Sequence, residues 1–289
     1  MSMPSIGFIG AGMMGAGMAG RLLSAGHRVG GLSHQNREPV EILVQRGAVE
    51  VFDVIALVNA FDVLITCLPN ADIVEELAGV IVPNLRDGQF WIDTTTSRPQ
   101  TSERIAADVS AHGAIFADAP VTGGPQQAQD GALASLVGCS EEHFSALERI
   151  IGTYSKIVRR FGAPGRGHAA KLLNNLVTQG TMVLLADAFH AADRYGIDAH
   201  TLYDIMLSGA ARSGTLEKAV GPALSGDFGG SQFSIANASK DMGYAHDLLC
   251  EIAKNQTNIA ESLSARLAAH VGNGHGSKFV SAMLDPQFC

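Results

Sequence analysis

The sequence has few cysteines, few charged residues and no excess of positive charge. Four cysteines are spread over 289 residues without a CxxC spacing, which excludes a disulfide framework and leaves no zinc-ligand set. They are Cys67, Cys139, Cys250 and Cys289. The formal net charge of −8 argues against a nucleic-acid partner, because phosphate backbones require a basic surface. With 46% hydrophobic and 17% charged residues, the chain is expected to be folded, well buried and oligomeric.

The N-terminus also lacks the basic stretch, apolar run and cleavage site of a secretory signal peptide. Together with the scattered cysteines, this indicates a reducing, cytoplasmic environment. The length predicts about two domains, and no internal repeat or low-complexity linker separates them.

A β-type run from Ser5 to Ile9 leads into a glycine-rich loop and then into a helical stripe. In a GxGxxG loop, the first glycine makes a tight turn, the second lets a pyrophosphate approach, and the third packs helix against strand. The loop residues are Gly10, Ala11, Gly12, Met13, Met14 and Gly15. Because a helix N-terminus attracts anions, this order predicts dinucleotide binding. The alternative is a glycine-rich turn without that function.

The second predicted strand, Arg28 to Leu32, ends where a residue that contacts the adenine ribose is expected. NAD-preferring sites usually place an acid there, but none occurs before Glu38. The candidates are Ser33, His34 and Arg37. Their hydroxyl, imidazole and guanidinium groups suit a 2′-phosphate, so we expect NADP(H) to be preferred over NAD(H). A solvated turn without a cofactor contact is the alternative.

Three further strands are predicted, and ligands bind at the strand ends of an open parallel sheet. Leu68, Pro69 and Thr96 follow the first two of these strands and are candidates for the nicotinamide end of the cofactor. The threonines before Ser97 are also candidate N-caps for the next helix. After the third strand, Thr122, Gly123 and Gly124 form either a plain turn or a backbone nest for a carboxylate.

The stretch from Gly165 to Tyr195 reads as one long helix with few charges. Its polar side chains argue against a membrane span, and we expect a buried helix shared by two domains. Lys171, Asn174, Asn175 and Thr178 recur at helical spacing and form one polar stripe. A buried lysine is costly unless it pairs or functions, whereas a lysine extending to solvent is the alternative.

The remaining chain is predicted to be helical, with Lys240 and Asp241 as a solvated charge pair on one amphipathic helix. The expected fold class is therefore an α/β, Rossmann-type, doubly wound N-terminal sheet, a long interdomain helix and an all-α C-terminal domain. The predicted boundaries are 1–163, 164–195 and 196–289.

Four segments in order resemble the β-hydroxyacid dehydrogenase family, which includes 3-hydroxyisobutyrate dehydrogenase, tartronate semialdehyde reductase and 6-phosphogluconate dehydrogenase. They are GFIGAGMMGAGMAG, DAPVTGG, GHAAKLLNN and KDMGYA. The resemblance covers nearly the whole chain and implies an NAD(P)-dependent enzyme without a metal. It implies Lys171 and Asn175 as catalytic residues, Thr122, Gly123, Gly124 and Asn174 as substrate-binding residues, and Lys240 as a residue that closes over cofactor and substrate. Gln127 stands where the family commonly has glycine.

The family reaction is hydride transfer between the nicotinamide and a hydroxyl carbon β to a carboxylate. The resemblance therefore predicts a small hydroxy acid or semialdehyde as substrate and Lys171 as the general acid and base. The lysine has to be neutral in one direction, which burial favours. Two alternatives are an imine reductase of the same architecture, which usually lacks this lysine, and a non-catalytic NADP(H)-binding sensor.

The side of the long helix that carries Leu173, Val177 and Leu184 needs apolar cover. One helical domain of this size does not supply all of it, and a second copy of the chain is the simplest source. We therefore expect a homodimer or a homotetramer.

Overall fold

The computed structural model describes residues 3–33, 36–253 and 257–288. The chain forms two compact units, Met1–Lys171 and Leu172–Cys289. The first unit is an α/β unit built on a sheet, and the second is helical, so the predicted fold class is confirmed. His34, one of the predicted phosphate contacts, lies outside the described residues.

The sheet contains short strands, and each predicted strand is present within a few residues of its expected bounds. The strands are β1 (Ile6–Ile9), β2 (Val29–Leu32), β3 (Val49–Val51), β4 (Val63–Thr66), β5 (Phe90–Asp93), β6 (Ile115–Asp118), β7 (Val121–Thr122), β8 (Leu133–Gly138) and β9 (Ser155–Gly162). β1 and β4 are buried along their whole length, as expected for central parallel strands covered on both faces.

The strand order explains where ligands are expected. The sheet runs β3-β2-β1-β4-β5-β6-β8-β7, with β9 paired to β8. All pairs among β1 to β6 are parallel, whereas β8 is antiparallel to both β6 and β7. The chain order reverses between β1 and β4, so the crevice beyond their carboxyl ends is the favoured ligand position of a doubly wound sheet.

Helices on the two faces of this sheet enclose two apolar cores. The helices of the first unit are α1 (Met13–Ser24), α2 (Glu38–Gln45), α3 (Val54–Ala60), α4 (Ala71–Ile81), α5 (Pro99–Ala111), α6 (Pro125–Asp130) and α7 (Glu141–Ile151). Phe8, Met18 and Leu22 contribute to one core, and Trp91, Phe61 and Leu64 to the other. Each of these six side chains is at most 1% exposed. The strands whose carboxyl ends form the expected ligand position are therefore held by tightly packed cores.

The second unit consists of helices that pack on one another. Its helices are the remainder of α8 (Arg166–Tyr195), then α9 (Ala199–Ser208), α10 (Gly221–Ala223), α11 (Ile235–Ile252) and α12 (Asn258–His270). Asp198 caps α9 by accepting a hydrogen bond from the Thr201 N–H at 2.7 Å, as the sequence predicts. α11 and α12 pack together, and both helices bury apolar residues, which include Ala245, Leu248, Leu263 and Leu267.

Within the single chain, the long helix α8 is only partly buried, and the exposed part includes the side for which the sequence predicts a second copy as cover. Val177 is 69% exposed and Leu184 is 68% exposed. The predicted polar stripe is also divided, because Lys171 and Asn175 are buried whereas Asn174 and Thr178 are exposed. Among the residues described, no helix combines the length and apolarity needed to cross a membrane.

Candidate active site

The glycine loop between β1 and α1 has the backbone geometry of an anion cradle. Gly10 has a φ of +96°, and a Cβ there would collide with the carbonyl oxygen of Cys67. A Cβ on Gly15 would collide with the Gly10 carbonyl oxygen, whereas a Cβ on Gly12 would meet no described atom within 4 Å. The backbone of the loop is therefore packed tightly at Gly10 and Gly15, whereas there is free space beside Gly12.

The first turn of α1 is suited to a negatively charged group. Gly12 is the N-cap and supplies no side-chain acceptor, and the first turn contains no acid. The N–H groups of this turn therefore keep their capacity to bind an anion, and the helix dipole favours one. Ala11 is buried, whereas Met13 is 72% exposed. These features fit the pyrophosphate of a dinucleotide.

The end of β2 holds a cluster that the sequence did not predict, which we call the Glu50 cluster: Ser33, Arg37 and Glu50. The Ser33 hydroxyl donates to Glu50 Oε1 at 2.6 Å. The Arg37 guanidinium donates to the same carboxylate through Nε at 3.0 Å and through Nη2 at 2.9 and 3.0 Å. Both described phosphate candidates are thus bonded to an acid from the neighbouring strand β3.

The ends of β4 and β5 are tied together by threonine side chains. The Leu68 N–H donates to Thr95 Oγ1 at 3.0 Å, and the Thr94 hydroxyl donates to the Thr66 carbonyl oxygen at 2.7 Å. Thr96 is half-buried beside them, and Pro69 is exposed. The N-cap of α5 is Arg98 and not a threonine, so the capping alternative for this run is wrong.

The predicted carboxylate loop follows β7 and leads into α6. Gly123 has a φ of +129°, so a side chain there would be strained, and Thr122 is half-buried. The Gly124 N–H donates to the side-chain oxygen Oε1 of Gln127 at 2.8 Å. The Gly124 N–H was predicted to bind the substrate carboxylate. In the structure its acceptor is the side chain of Gln127.

A buried polar cluster anchors the start of α8; we call Asp93, Ser102, Asp118 and His168 the His168 cluster. Each of these side chains is at most 1% exposed. Asp118 accepts hydrogen bonds from the backbone N–H groups of Gly165 and His168, each at 2.7 Å. Asp93 accepts from the Thr66 hydroxyl at 2.8 Å. The carboxyl ends of β5 and β6 thus hold the first turn of α8.

The hydrogen bonds define the tautomer of His168. Its Nε2 lies 2.5 Å from the Thr95 carbonyl oxygen, which only accepts, so Nε2 carries the proton. In the neutral ring, the Ser102 hydroxyl then donates to Nδ1, at 2.7 Å. The two carboxylates lie further away, at 3.9 Å for Asp93 and 3.8 Å for Asp118. Lys171 is one helical turn beyond this anchored histidine and is 8% exposed.

In the second unit, Asn175 belongs to a network that includes a buried acid. Its Nδ2 donates to Asp241 Oδ2 at 2.7 Å, and its Oδ1 accepts from Asn174 Nδ2 at 3.2 Å. Lys240 Nζ lies 2.8 Å from Asp241 Oδ1. Asp241 is only 1% exposed, so the predicted solvated charge pair is wrong.

Comparisons with known proteins agree with this geometry. A family model for the NAD binding domain of 6-phosphogluconate dehydrogenase matches residues 5–162. A model for NAD-binding of NADP-dependent 3-hydroxyisobutyrate dehydrogenase matches residues 165–284. The sheet, the glycine loop and these matches define an NAD(P)-binding protein with a Rossmann-type domain. The chain belongs to the β-hydroxyacid dehydrogenase family, a family of NAD(P)-dependent enzymes, as the sequence predicted.

Individual relatives support the same assignment. The chain is 32% identical over 249 residues to the mitochondrial 3-hydroxyisobutyrate dehydrogenase of Drosophila melanogaster, covering 83% of this chain and 76% of the relative. It is 32% identical over 244 residues to the 2-(hydroxymethyl)glutarate dehydrogenase of Eubacterium barkeri, covering 83% and 80%. A solved 3-hydroxyisobutyrate dehydrogenase of Mycobacterium tuberculosis with L-serine matches with a TM-score of 0.90 at 26% identity, covering 98% of both chains.

Proposed function

We propose that this protein transfers a hydride between the nicotinamide of NADP(H) and a small β-hydroxy acid or its semialdehyde. The single observation that carries the proposal is Lys171, a buried lysine on α8 one turn beyond the anchored His168. Membership of the family supports the proposed class of reaction. The names of two relatives support the proposed type of substrate. Both of those relatives are named as dehydrogenases of carboxylic acids that carry a hydroxymethyl group.

Lys171 supplies the proton chemistry. During oxidation, its neutral amine accepts the proton of the substrate hydroxyl while the carbon loses a hydride and becomes a carbonyl. During reduction, the ammonium returns the proton to the carbonyl oxygen. The cofactor, when bound, would supply the hydride chemistry. The anchored first turn of α8 fixes the lysine backbone, so the amine is positioned before the substrate binds.

Asn175 and Lys240 also have roles in the proposed mechanism. One N–H of the Asn175 carboxamide is used by Asp241, which fixes the amide and leaves the second N–H for the substrate hydroxyl. Asn175 therefore binds the reacting oxygen without competing for its proton. We propose that Lys240 and Asn174 bind the substrate. Asn174 Nδ2 also donates to Asn175 Oδ1 at 3.2 Å, which helps to orient the Asn175 amide.

The substrate carboxylate is placed on Thr122, Gly123 and Gly124. The Gly124 N–H donates to the neutral side-chain oxygen of Gln127. A carboxylate is a stronger acceptor than an amide oxygen, so it replaces Gln127 at this donor. This exchange fixes one end of the substrate and selects the carbon that receives or gives the hydride.

The test is a panel of small β-hydroxy acids and semialdehydes with wild-type protein and three variants. Lys171→Ala should lose roughly 10²-fold or more in turnover, because the general acid and base is removed. Lys171→Arg should be equally slow, because a guanidinium does not release its proton. Lys156→Ala, which removes an exposed lysine on β9, should keep wild-type turnover.

Lys171→Ala turnover within a few-fold of wild type would remove the lysine from the mechanism. Wild-type protein that binds NADPH tightly yet turns over no substrate would favour the sensor alternative.

The proposed cofactor preference is NADPH over NADH, with Ser33 and Arg37 as the donors to the 2′-phosphate. Their hydroxyl and bidentate guanidinium suit a phosphate better than a pair of ribose hydroxyls. The ratio of kcat/KM for the two cofactors checks this preference directly. A higher value for NADH would mean that these donors stay with Glu50.

We also propose a cytoplasmic homodimer or homotetramer. Leu173, Val177 and Leu184 are 42%, 69% and 68% exposed and share one side of α8. A second copy of the chain would cover this apolar side in an isologous contact. Light scattering at micromolar concentration should give a multiple of the 30.2 kDa chain mass. A mass of one chain would contradict the proposal.

A further inference from the structure

The acid that distinguishes cofactors is missing after β2, but the fold supplies one from β3. The two strands pair in parallel, with Gly31 opposite Glu50, and the Ser33 N–H donates to the Val51 carbonyl oxygen at 2.8 Å. This pairing sets the Glu50 side chain beside Ser33. We propose that Glu50 is a specificity-determining residue, whose carboxylate competes with the 2′-phosphate of NADPH for Ser33 and Arg37. The inference rests on the proposed cofactor site.

The hydrogen bonds show that the competition is for the same donors. Glu50 accepts from the Ser33 hydroxyl and binds the Arg37 guanidinium through both carboxylate oxygens. This bidentate arrangement is the one that a guanidinium also forms with a phosphate. A phosphate that uses Arg37 in this way has to displace the carboxylate.

The local charge favours the carboxylate over a second anion. The hydrogen bond from Ser33, followed by Arg37, lowers the pKa of Glu50, so this side chain is ionised at neutral pH. A second acid, Glu41, lies 3.8 Å from Arg37 Nε. One guanidinium therefore faces two carboxylates, and these three side chains together offer an incoming phosphate no net positive charge.

The exchange requires no change in the core. Side chains of Arg37 and Glu50 are 51% and 20% exposed, so the pair can open at the surface. Arg37 also lies over the Phe52 ring, 5.3 Å from its centroid. This contact keeps the guanidinium at the same place when the acid is absent. NADH has no phosphate at this position and leaves the Glu50 cluster intact.

The variant Glu50→Gln tests the competition because it removes the charge and keeps the size. Dissociation constants for NADPH and NADH are measured by fluorescence titration of the full chain without substrate. We expect the Kd of NADPH to fall about tenfold, because a like charge at hydrogen-bond distance is removed. The Kd of NADH should stay within about twofold of wild type, since NADH has no 2′-phosphate that would displace Glu50 from Arg37.

Two controls separate direct competition from a general charge effect. Glu41→Gln removes the same charge from the same region without a bond to Ser33, and it should change the Kd of NADPH by less than about threefold. In an Arg37→Ala background, Glu50→Gln should change the ratio of the two Kd values less than it does in the wild-type background, because only the Ser33 hydroxyl is still contested.

An unchanged ratio of Kd values in Glu50→Gln would overturn the inference. An equal gain for both cofactors, or an equal gain from Glu41→Gln, would overturn it too. The titrations need no turnover, so a chain that oxidises no hydroxy acid refutes the proposed function while these results still decide the role of Glu50. A wild-type chain that binds neither cofactor refutes both.

Discussion

Two acidic clusters in the same unit differ in burial, and burial separates their roles. In the His168 cluster, Asp93 and Asp118 are fully buried and accept hydrogen bonds from backbone N–H groups and a threonine. In the Glu50 cluster, the acid is bound by two side chains near the surface. Backbone donors are fixed in place, whereas the half-exposed Arg37 side chain can move. The buried acids therefore position a helix, whereas the half-buried Glu50 can exchange its partners.

The largest expected effect comes from deleting one acid in each cluster. Asp118→Ala leaves two buried backbone N–H groups without an acceptor, and it should lower the free energy of unfolding by about 3 kcal/mol or more. Glu50→Ala should lower the midpoint of urea unfolding only slightly, because a partly exposed ion pair contributes little to stability. Equal losses in the two variants would mean that burial does not separate these clusters.

Local patterns were sufficient to predict most of the fold. The strands, the glycine loop and α8 were predicted from apolar runs, turn residues and helical spacing, and the family from four short segments. Leu173, Val177 and Leu184 are exposed in the single chain, which agrees with the prediction that the chain alone does not cover this side of α8. The second copy that would cover it stays a prediction. The roles assigned to Lys171, Asn175, Thr122 and Lys240 stay predictions.

Partners distant in sequence were not predicted. Glu50 is 17 residues from Ser33, His168 is 50 residues from Asp118, and Asp241 is 66 residues from Asn175. Strand pairing and helix packing bring these residues together, and no local periodicity encodes them. A partial signal did exist, since Asp93 and Asp118 each end an apolar strand at the edge where ligands bind.

The His168 cluster and the Glu50 cluster should also differ in how their contribution to stability depends on pH. This difference should be smaller than the effect of the alanine variants. Burial is the main influence on Asp118 and raises its pKa, although His168 and the backbone N–H groups oppose the shift. A carboxyl group with a raised pKa stabilises the fold fully at low pH and loses that contribution as the pH rises through the folded pKa. The stability advantage of wild type over Asp118→Asn should therefore shrink as the pH rises above the ordinary value of 3.8.

Urea unfolding of wild type and of Asp118→Asn, at several pH values above 3.8, measures the difference in their free energies of unfolding. An advantage that grows with pH would show that the N–H groups favour the carboxylate more than burial disfavours it. The stability advantage of wild type over Glu50→Gln should instead shrink as the pH falls. The pKa of Glu50 is lowered, so the contribution of its carboxylate is lost at low pH.

The smallest effect separates a bonded buried hydroxyl from an unbonded one. Ser102 and Ser97 are both at most 1% exposed, but only the Ser102 hydroxyl contacts His168, whereas the Ser97 hydroxyl has no hydrogen-bond partner among the described residues. Ser102→Ala leaves His168 Nδ1 without its donor and should cost about 1 to 2 kcal/mol of unfolding free energy. Ser97→Ala removes a hydroxyl that is already unsatisfied, so stability should be unchanged or slightly higher. Urea unfolding of the two variants measures the difference. Equal costs would mean that the hydroxyl of Ser102 does not hold the imidazole, and the anchoring of α8 would then rest on Asp118 and the Thr95 carbonyl oxygen.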